Sequence, residues 1–203
     1  LTLSGGTLNV KTPATINKMS PLAISGTLTI NGATVTAVAH TTGTAIGGGI
    51  GFSSAGGPGY VTINGGNVYA YNLENPEGIP SAAIGGAGSK SSNGAIGAGT
   101  INNGNIYAYS VGGTAIGGGS SKSTNGGSAE VNISGGNIVA KSVAGKILGS
   151  NTAGAGIGGG TGGSNADHGG SATITISGNP IIRTGSIGGG RNNNTKGGYI
   201  GTA

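Results

Sequence analysis

An apolar-x-apolar motif closed by Ser/Asn and usually Gly recurs along this chain. No other feature constrains its fold as tightly. It reads Leu1-Thr2-Leu3-Ser4-Gly5, Leu28-Thr29-Ile30-Asn31-Gly32, Val61-Thr62-Ile63-Asn64-Gly65, Val131-Asn132-Ile133-Ser134-Gly135 and Ile174-Thr175-Ile176-Ser177-Gly178. Gly99-Thr100-Ile101-Asn102-Asn103 is a weaker copy, with Gly99 in the first apolar place. A second alternating stretch follows the turn, as in Asn67-Val68-Tyr69-Ala70-Tyr71, Asn105-Ile106-Tyr107-Ala108-Tyr109 and Asn137-Ile138-Val139-Ala140-Lys141. A third motif sets Ile before glycines: Ala45-Ile46-Gly47-Gly48-Gly49, Ala83-Ile84-Gly85-Gly86, Ala115-Ile116-Gly117-Gly118-Gly119, Ile157-Gly158-Gly159-Gly160 and Ile187-Gly188-Gly189-Gly190. Such a chain stacks copies of one supersecondary unit, none of which folds alone.

The spacing locates the variable part of the unit. The Ser/Asn anchors fall at Ser4, Asn31, Asn64, Asn102, Ser134 and Ser177, with intervals of 27, 33, 38, 32 and 43 residues. Yet Ile46 to Asn64, Ile84 to Asn102 and Ile116 to Ser134 are each 18 residues. The length variation therefore falls between the second stretch and the glycine tract, in loops such as Asn72 to Ser81 and Ser142 to Ala153.

Alternation with period two predicts strands. Val61, Ile63, Val68 and Ala70 then face inward, with equivalents in each repeat. Gly-Gly and Asn-Gly corners suit sharp bends between short strands, because Gly and Asn tolerate positive φ. Glycine supplies 50 of 203 residues and aromatics only 3%. Such a chain builds a thin core of Ala, Ile and Val, repeated along an axis about 4.8 Å per step. The expected fold is all-β: a parallel β-helix or solenoid of about six irregular repeats with glycine-rich tracts, right-handed by the usual crossover preference. A glycine-rich prism or polyglycine bundle is the alternative. The tracts themselves read equally as tight turns or as extended polyglycine. Collagen is excluded by the lack of a Gly-X-Y period. Residues 1–203 read as one repetitive domain. The chain starts inside a repeat, and Gly197-Gly198-Tyr199-Ile200-Gly201-Thr202-Ala203 resembles the approach to another strand. A fragment of a longer parent chain is therefore expected, with the parent's other domains as neighbours.

Composition removes several functions. There is no cysteine, so no disulfide or thiolate metal site. No run of about 18 apolar residues offers a membrane span. The formal charge of +5 comes from scattered residues, without the basic clusters that nucleic-acid binding needs. The acids are Glu74, Glu77, Glu130 and Asp167, too dispersed for the paired carboxylates of a lyase or hydrolase. Asp167-His168 has no third ligand near in sequence, and His40 is far away. No metal or cofactor is expected. The glycine tracts precede polar loops rather than a helix, so they are not phosphate loops.

The string Ala-Ile-Gly-Gly-Gly, a Ser/Asn/Gly loop, then Val-Thr-Ile-Asn-Gly-Gly-Asn-Val-Tyr-Ala resembles the glycine-rich repeats of large surface proteins of Gram-positive, gut-type bacteria. The resemblance covers nearly the whole chain. It implies an extracellular or cell-surface location and an adhesive or glycan-related role.

Three outward features are candidate sites. By alternation Tyr69, Tyr71, Tyr107 and Tyr109 face out from adjacent repeats. Such a patch either stacks on sugar rings or simply packs across strands. A second outward column is Thr2, Thr29, Thr62, Thr100, Asn132 and Thr175. It reads as an ice-facing array or as ordinary β-propensity. Lys90, Lys122, Arg191 and Lys196 form a thin basic edge, for anionic wall polymers or for solubility. The expected function is therefore non-enzymatic: adhesion to a polysaccharide or cell-wall glycan. A structural stalk displaying other modules, or an ice-binding solenoid, is the alternative.

Overall fold

A computed structural model describes residues 1–12, 19–40, 42–51, 55–73, 79–147, 150–163 and 168–191. Among them there is no helix; the regular elements are strands. Glu74, Glu77, Asp167, Lys196 and Gly197–Ala203, all singled out in the sequence, lie outside the described residues.

The strands form three parallel ladders. The first stacks Thr2–Leu3, the N-terminal parts of Thr27–Ala39 and Gly59–Asn72, then Gly97–Ile101, Ala129–Ile133 and Ala172–Ile176. The second stacks Thr7–Lys11, the C-terminal parts of the same two long strands, then Asn105–Val111, Asn137–Val143 and Ile181–Thr184. The third is built from Leu22–Ala23, Ile46–Gly47, Ile84–Gly85, Ile116–Gly117, Ile157–Gly158 and Ile187–Gly188. The protein is thus all-β, with parallel strands in curled sheets. This arrangement is compatible with a β-solenoid.

The repeats align as the motifs predict. Ile30, Ile63, Ile101 and Ile133 are successive partners and buried, as are Val35, Val68, Ile106 and Ile138. Ala37, Ala70, Ala108 and Ala140 form a third buried column, and Ile46, Ile84, Ile116 and Ile157 a fourth. Each buried Ile or Val contributes about 1.5–3 kcal/mol relative to exposure. In the row of Ala172–Ile176 and Ile187–Gly188, Ala172 stays buried while Ile176 and Ile187 are exposed. The chain passes from the first ladder to the second at corners where Gly66, Gly104 and Gly136 have φ of 96°, 116° and 96°. The insertion between Ser142 and Ala153 adds a small antiparallel pair, Gly145–Ile147 with Ser150–Thr152.

The structure resolves the glycine tracts: they are extended, not tight turns. The glycine after each Ile pairs in the third ladder with φ between 129° and 146°, a conformation that side chains rarely adopt. A Cβ on Gly117 would run into the carbonyl of Gly158 in the next row. The loop after each tract then brings the chain back beside it. Gly57 N–H donates to Gly49 O (2.6 Å), Ala95 to Ala87 (3.0 Å), Gly127 to Gly119 (2.7 Å) and Gly170 to Gly160 (2.8 Å). Between rows, Ala87 N–H donates to Gly57 O (3.2 Å), Gly119 to Ala95 (2.9 Å), Gly160 to Gly127 (2.9 Å) and Gly190 to Gly170 (2.9 Å). The two sets join into one zigzag of backbone hydrogen bonds from Gly49 to Gly190. Each loop returns the chain to that zigzag, which accounts for the constant spacing between tract and next anchor in three repeats.

Buried Asn72 and Ser110, and half-buried Ser142, tie the second ladder to the glycine region. Asn72 Nδ2 donates to the carbonyls of Gly43 and Ser81, both at 3.0 Å. Ser110 Oγ donates to Ser81 O (3.2 Å) and Ser142 Oγ to Gly113 O (2.6 Å).

Gly117→Ala should destabilise the fold by about 3 kcal/mol, through positive-φ strain and the clash with Gly158. Gly49→Ala, whose added Cβ meets nothing within 4 Å, should stay within about 0.5 kcal/mol of the parent. Chemical denaturation of the two variants measures the contrast; equal losses would mean that backbone packing at the third ladder does not govern stability.

Candidate functional site

The second ladder carries the candidate site on its outer face. Period-two alternation buries Val68, Ala70, Ile106 and Ala108, so Tyr69, Tyr71, Tyr107 and Tyr109 must point outward. Tyr69 pairs with Tyr107 and Tyr71 with Tyr109 in adjacent rows. The four rings therefore form a two-by-two platform. Tyr69 is 37% exposed and the other three are half-buried. The diagonal pair Tyr71 and Tyr107 pack with ring centroids 5.5 Å apart and planes tilted by 41°. That is a tilted aromatic contact within the usual range of centroid distances. Part of the tyrosine surface is thus committed to cross-strand packing, and Tyr69 is the most available ring.

The surroundings of the platform are polar on one side and cationic toward its ends. Asn67, Asn105 and Asn137 occupy the next outward column. Asn105 Nδ2 donates to Asn67 Oδ1 (3.0 Å), and Arg183 Nη1 donates to Asn137 Oδ1 (2.9 Å). In the row after Tyr109 the partner is Lys141, whose Nζ lies 6.0 Å from the Tyr109 ring centroid. In the row after Tyr107 the partner is Val139, followed by Arg183. On the other side, the column runs from Tyr71 through Val38 to Lys11. Among the described residues of this ladder there is no acidic side chain. Lys11 and Arg183 were not singled out in the sequence, and Lys141 only as the end of a strand motif. They stand at tyrosine-equivalent positions in other repeats, so extending each column over all the repeats would have found them.

The asparagine anchors of the first motif form a second amide ladder across the corner. Asn64 Nδ2 donates to Asn31 Oδ1 (2.8 Å), Asn102 Nδ2 to Asn64 Oδ1 (2.7 Å), and Ser134 Oγ to Asn102 Oδ1 (3.0 Å). The sequence showed these residues as turn formers; their side-chain pairing depends on the in-register stacking.

The threonine column is in register, with Thr2, Thr29, Thr62, Thr100, Asn132 and Thr175 as successive partners on the first ladder. Its surface is uneven. Thr29, Thr62 and Thr100 are half-buried, and small Ala98 and Gly99 leave a groove of about 300 Å³ between Tyr60 and Glu130. The basic edge lies elsewhere: Ser89 and Ser121 bridge adjacent rows just before Lys90 and Lys122, and Gly162 N–H donates to Arg191 O. His168 Nδ1 contacts Gly169 O at 2.9 Å. Among the described residues, no three His, Asp or Glu side chains come together in a metal-binding group.

Burial raises the Tyr71 phenol above the ordinary tyrosine value of 10.0, and the neighbouring Tyr107 and Tyr69 push it further up. The folded state therefore holds this proton more tightly than the unfolded chain. Its contribution to stability is complete below pH 10.0 and is lost as the pH rises through the folded pKa. Tyr71→Phe should flatten the loss of stability above that pH, measured by denaturant melts across the alkaline range; an unchanged slope would show that Tyr71 is not the residue responsible. Comparison with known proteins finds no matching family model, no similar curated protein and no similar solved structure.

Proposed function

We propose that this chain is a non-enzymatic repeat module of a secreted or cell-surface bacterial protein, and that it binds polysaccharide on the tyrosine face of the second ladder. The three ladders are then the faces of one right-handed parallel β-helix, with about six coils. The observation that carries the reading is the two-by-two tyrosine platform, flanked by an amide column and by Lys11, Lys141 and Arg183. Exposed phenol rings offer flat apolar surface with a hydroxyl at the edge, the combination that stacks on a sugar ring and hydrogen-bonds its substituents. Two adjacent rows about 4.8 Å apart present that surface side by side, which suits neighbouring units of an extended polymer. The cations at the ends favour a glycan bearing carboxylate, sulfate or phosphate groups over a neutral one. Glu130, the acidic residue among those described, faces the groove of the first ladder, away from the platform. That separation keeps the platform's charge uniformly positive.

Pull-down on immobilised neutral and anionic polysaccharides tests the proposal. The Tyr69→Ala/Tyr107→Ala double variant should weaken binding at least about tenfold, the equivalent of about 1.4 kcal/mol. Lys141→Gln/Arg183→Gln should leave neutral glycans unaffected while removing any preference for anionic ones and its salt sensitivity. A folded protein that binds no glycan, or that binds equally well without the tyrosines, would sink the proposal and leave a structural stalk as the better reading.

A further inference from the structure

Asn-Gly occurs at five places: Asn31-Gly32, Asn64-Gly65, Asn93-Gly94, Asn103-Gly104 and Asn125-Gly126. In this dipeptide the backbone nitrogen of glycine can attack the preceding side-chain amide, with no Cβ to hinder the approach. At four of the sites another interaction occupies one of the groups involved. Asn31 Oδ1 accepts from Asn64 Nδ2 (2.8 Å), and Asn64 Oδ1 accepts from Asn102 Nδ2 (2.7 Å), both inside long strands. Gly94 N–H donates to Asn125 O in the next row at 3.0 Å. Asn125 Oδ1 accepts from the His168 backbone N–H at 3.4 Å.

At Asn103 the two reacting groups instead face each other. The residue is exposed and lies between the strands Gly97–Ile101 and Asn105–Val111. Its side chain folds back over its own C-terminal peptide, so that Gly104 N–H donates to Asn103 Oδ1 at 2.8 Å. The attacking nitrogen is therefore held against the side-chain amide, hydrogen-bonded to its oxygen and beside the Cγ it would attack. Gly104 has φ of 116°, a corner geometry that the stacked rows hold in place.

We propose that Asn103 is a modification site, which deamidates through a succinimide ahead of every other Asn-Gly pair in the fold. Gly104 N gives its proton to solvent base and attacks Asn103 Cγ. The new C–N bond forms, the bond to the side-chain nitrogen breaks, and ammonia leaves. Water then opens the ring at either carbonyl, giving aspartate or isoaspartate, with no oxidant or reductant involved. Either product adds a negative charge beside the Asn64–Asn102 amide pair. The isoaspartyl form also inserts a methylene into the backbone at the corner that leads to Tyr107 and Tyr109. The inference does not depend on glycan binding.

Incubation of the folded chain in mildly alkaline buffer, followed by peptide mapping with mass spectrometry, reads out each site by its exchange of NH2 for OH. Asn103 should convert at least about tenfold faster than Asn31, Asn64, Asn93 or Asn125. In urea, where the fold no longer distinguishes them, the five rates should converge. Asn103→Ser should retain the parent's β spectrum and remove the fast phase. Comparable rates at all five sites in the folded protein, or Asn103 lagging behind any of the others, would overturn the proposal.

Discussion

Satisfying backbone polar groups without side chains is the constraint on which the rest of this structure depends. Where the third ladder meets the returning loop, two segments run side by side inside the protein, and their N–H and C=O groups are shielded from water. Each unpaired buried group would cost on the order of 1–3 kcal/mol. The zigzag from Gly49 to Gly190 pairs them within and between rows. That zigzag requires backbones close enough that a Cβ would overlap a carbonyl: at Gly127 it would meet Ala95 O, at Gly160 the Gly119 O, at Gly170 the Gly127 O. Glycine content that looks like disorder in composition is thus a packing requirement. Alanine stands in the zigzag at Ala87 and Ala95, both buried, so a methyl is accommodated at those two places.

The apolar core does a different task. Its columns of Ile, Val and Ala are one or two side chains deep, and they set register rather than bulk. Shifting a row by one residue would turn Ile106 and Ala108 outward and bring Tyr107 and Tyr109 into a space sized for Ile and Ala. The penalty for that exchange holds the tyrosines in line from row to row. The site is therefore a consequence of the core: its spacing is the strand spacing, and its alignment is the core's alignment. The amide ladders through Asn64 and Asn67 add a second register lock on either side of the corner, since a slipped row would break the side-chain pairs as well.

Much of this was legible before any coordinates. Period-two alternation located the strands around Val61–Ile63 and Val68–Tyr71, the inward residues and the outward tyrosines, because those follow from strand geometry alone. The constant spacing from Ile46 to Asn64 marked a rigid segment but not its cause. The zigzag was not legible, because a glycine tract has no side-chain pattern that distinguishes a turn from an extended pair. Only the partner segment, brought back by a loop of variable residues, decides between them. Lys141 and Arg183 were missed as neighbours of the platform for a related reason. Each looks like a lone surface charge until the column through Tyr109 or Tyr107 is followed into the next rows.

The division of labour between glycine backbone and thin core leaves the outer face unusually free. In an ordinary globular domain an outward aromatic competes with core demands on neighbouring positions. Here the inward neighbours of Tyr69 are Val68 and Ala70, already satisfied within their own columns, so the outward residue is chosen almost independently of the fold. A tyrosine at two rows and a cation one or two rows further on then need no structural reason of their own beyond cross-strand packing. The contact between Tyr71 and Tyr107 supplies that reason for one diagonal pair. It does not explain why Tyr69 stands exposed, nor why the same columns continue into Lys141 and Arg183 with no acidic residue among their described neighbours. That residue pattern is consistent with the ligand-facing role proposed for this face, and it separates this face from the first ladder, where Glu130, Tyr60 and a run of threonines share the surface without a consistent charge.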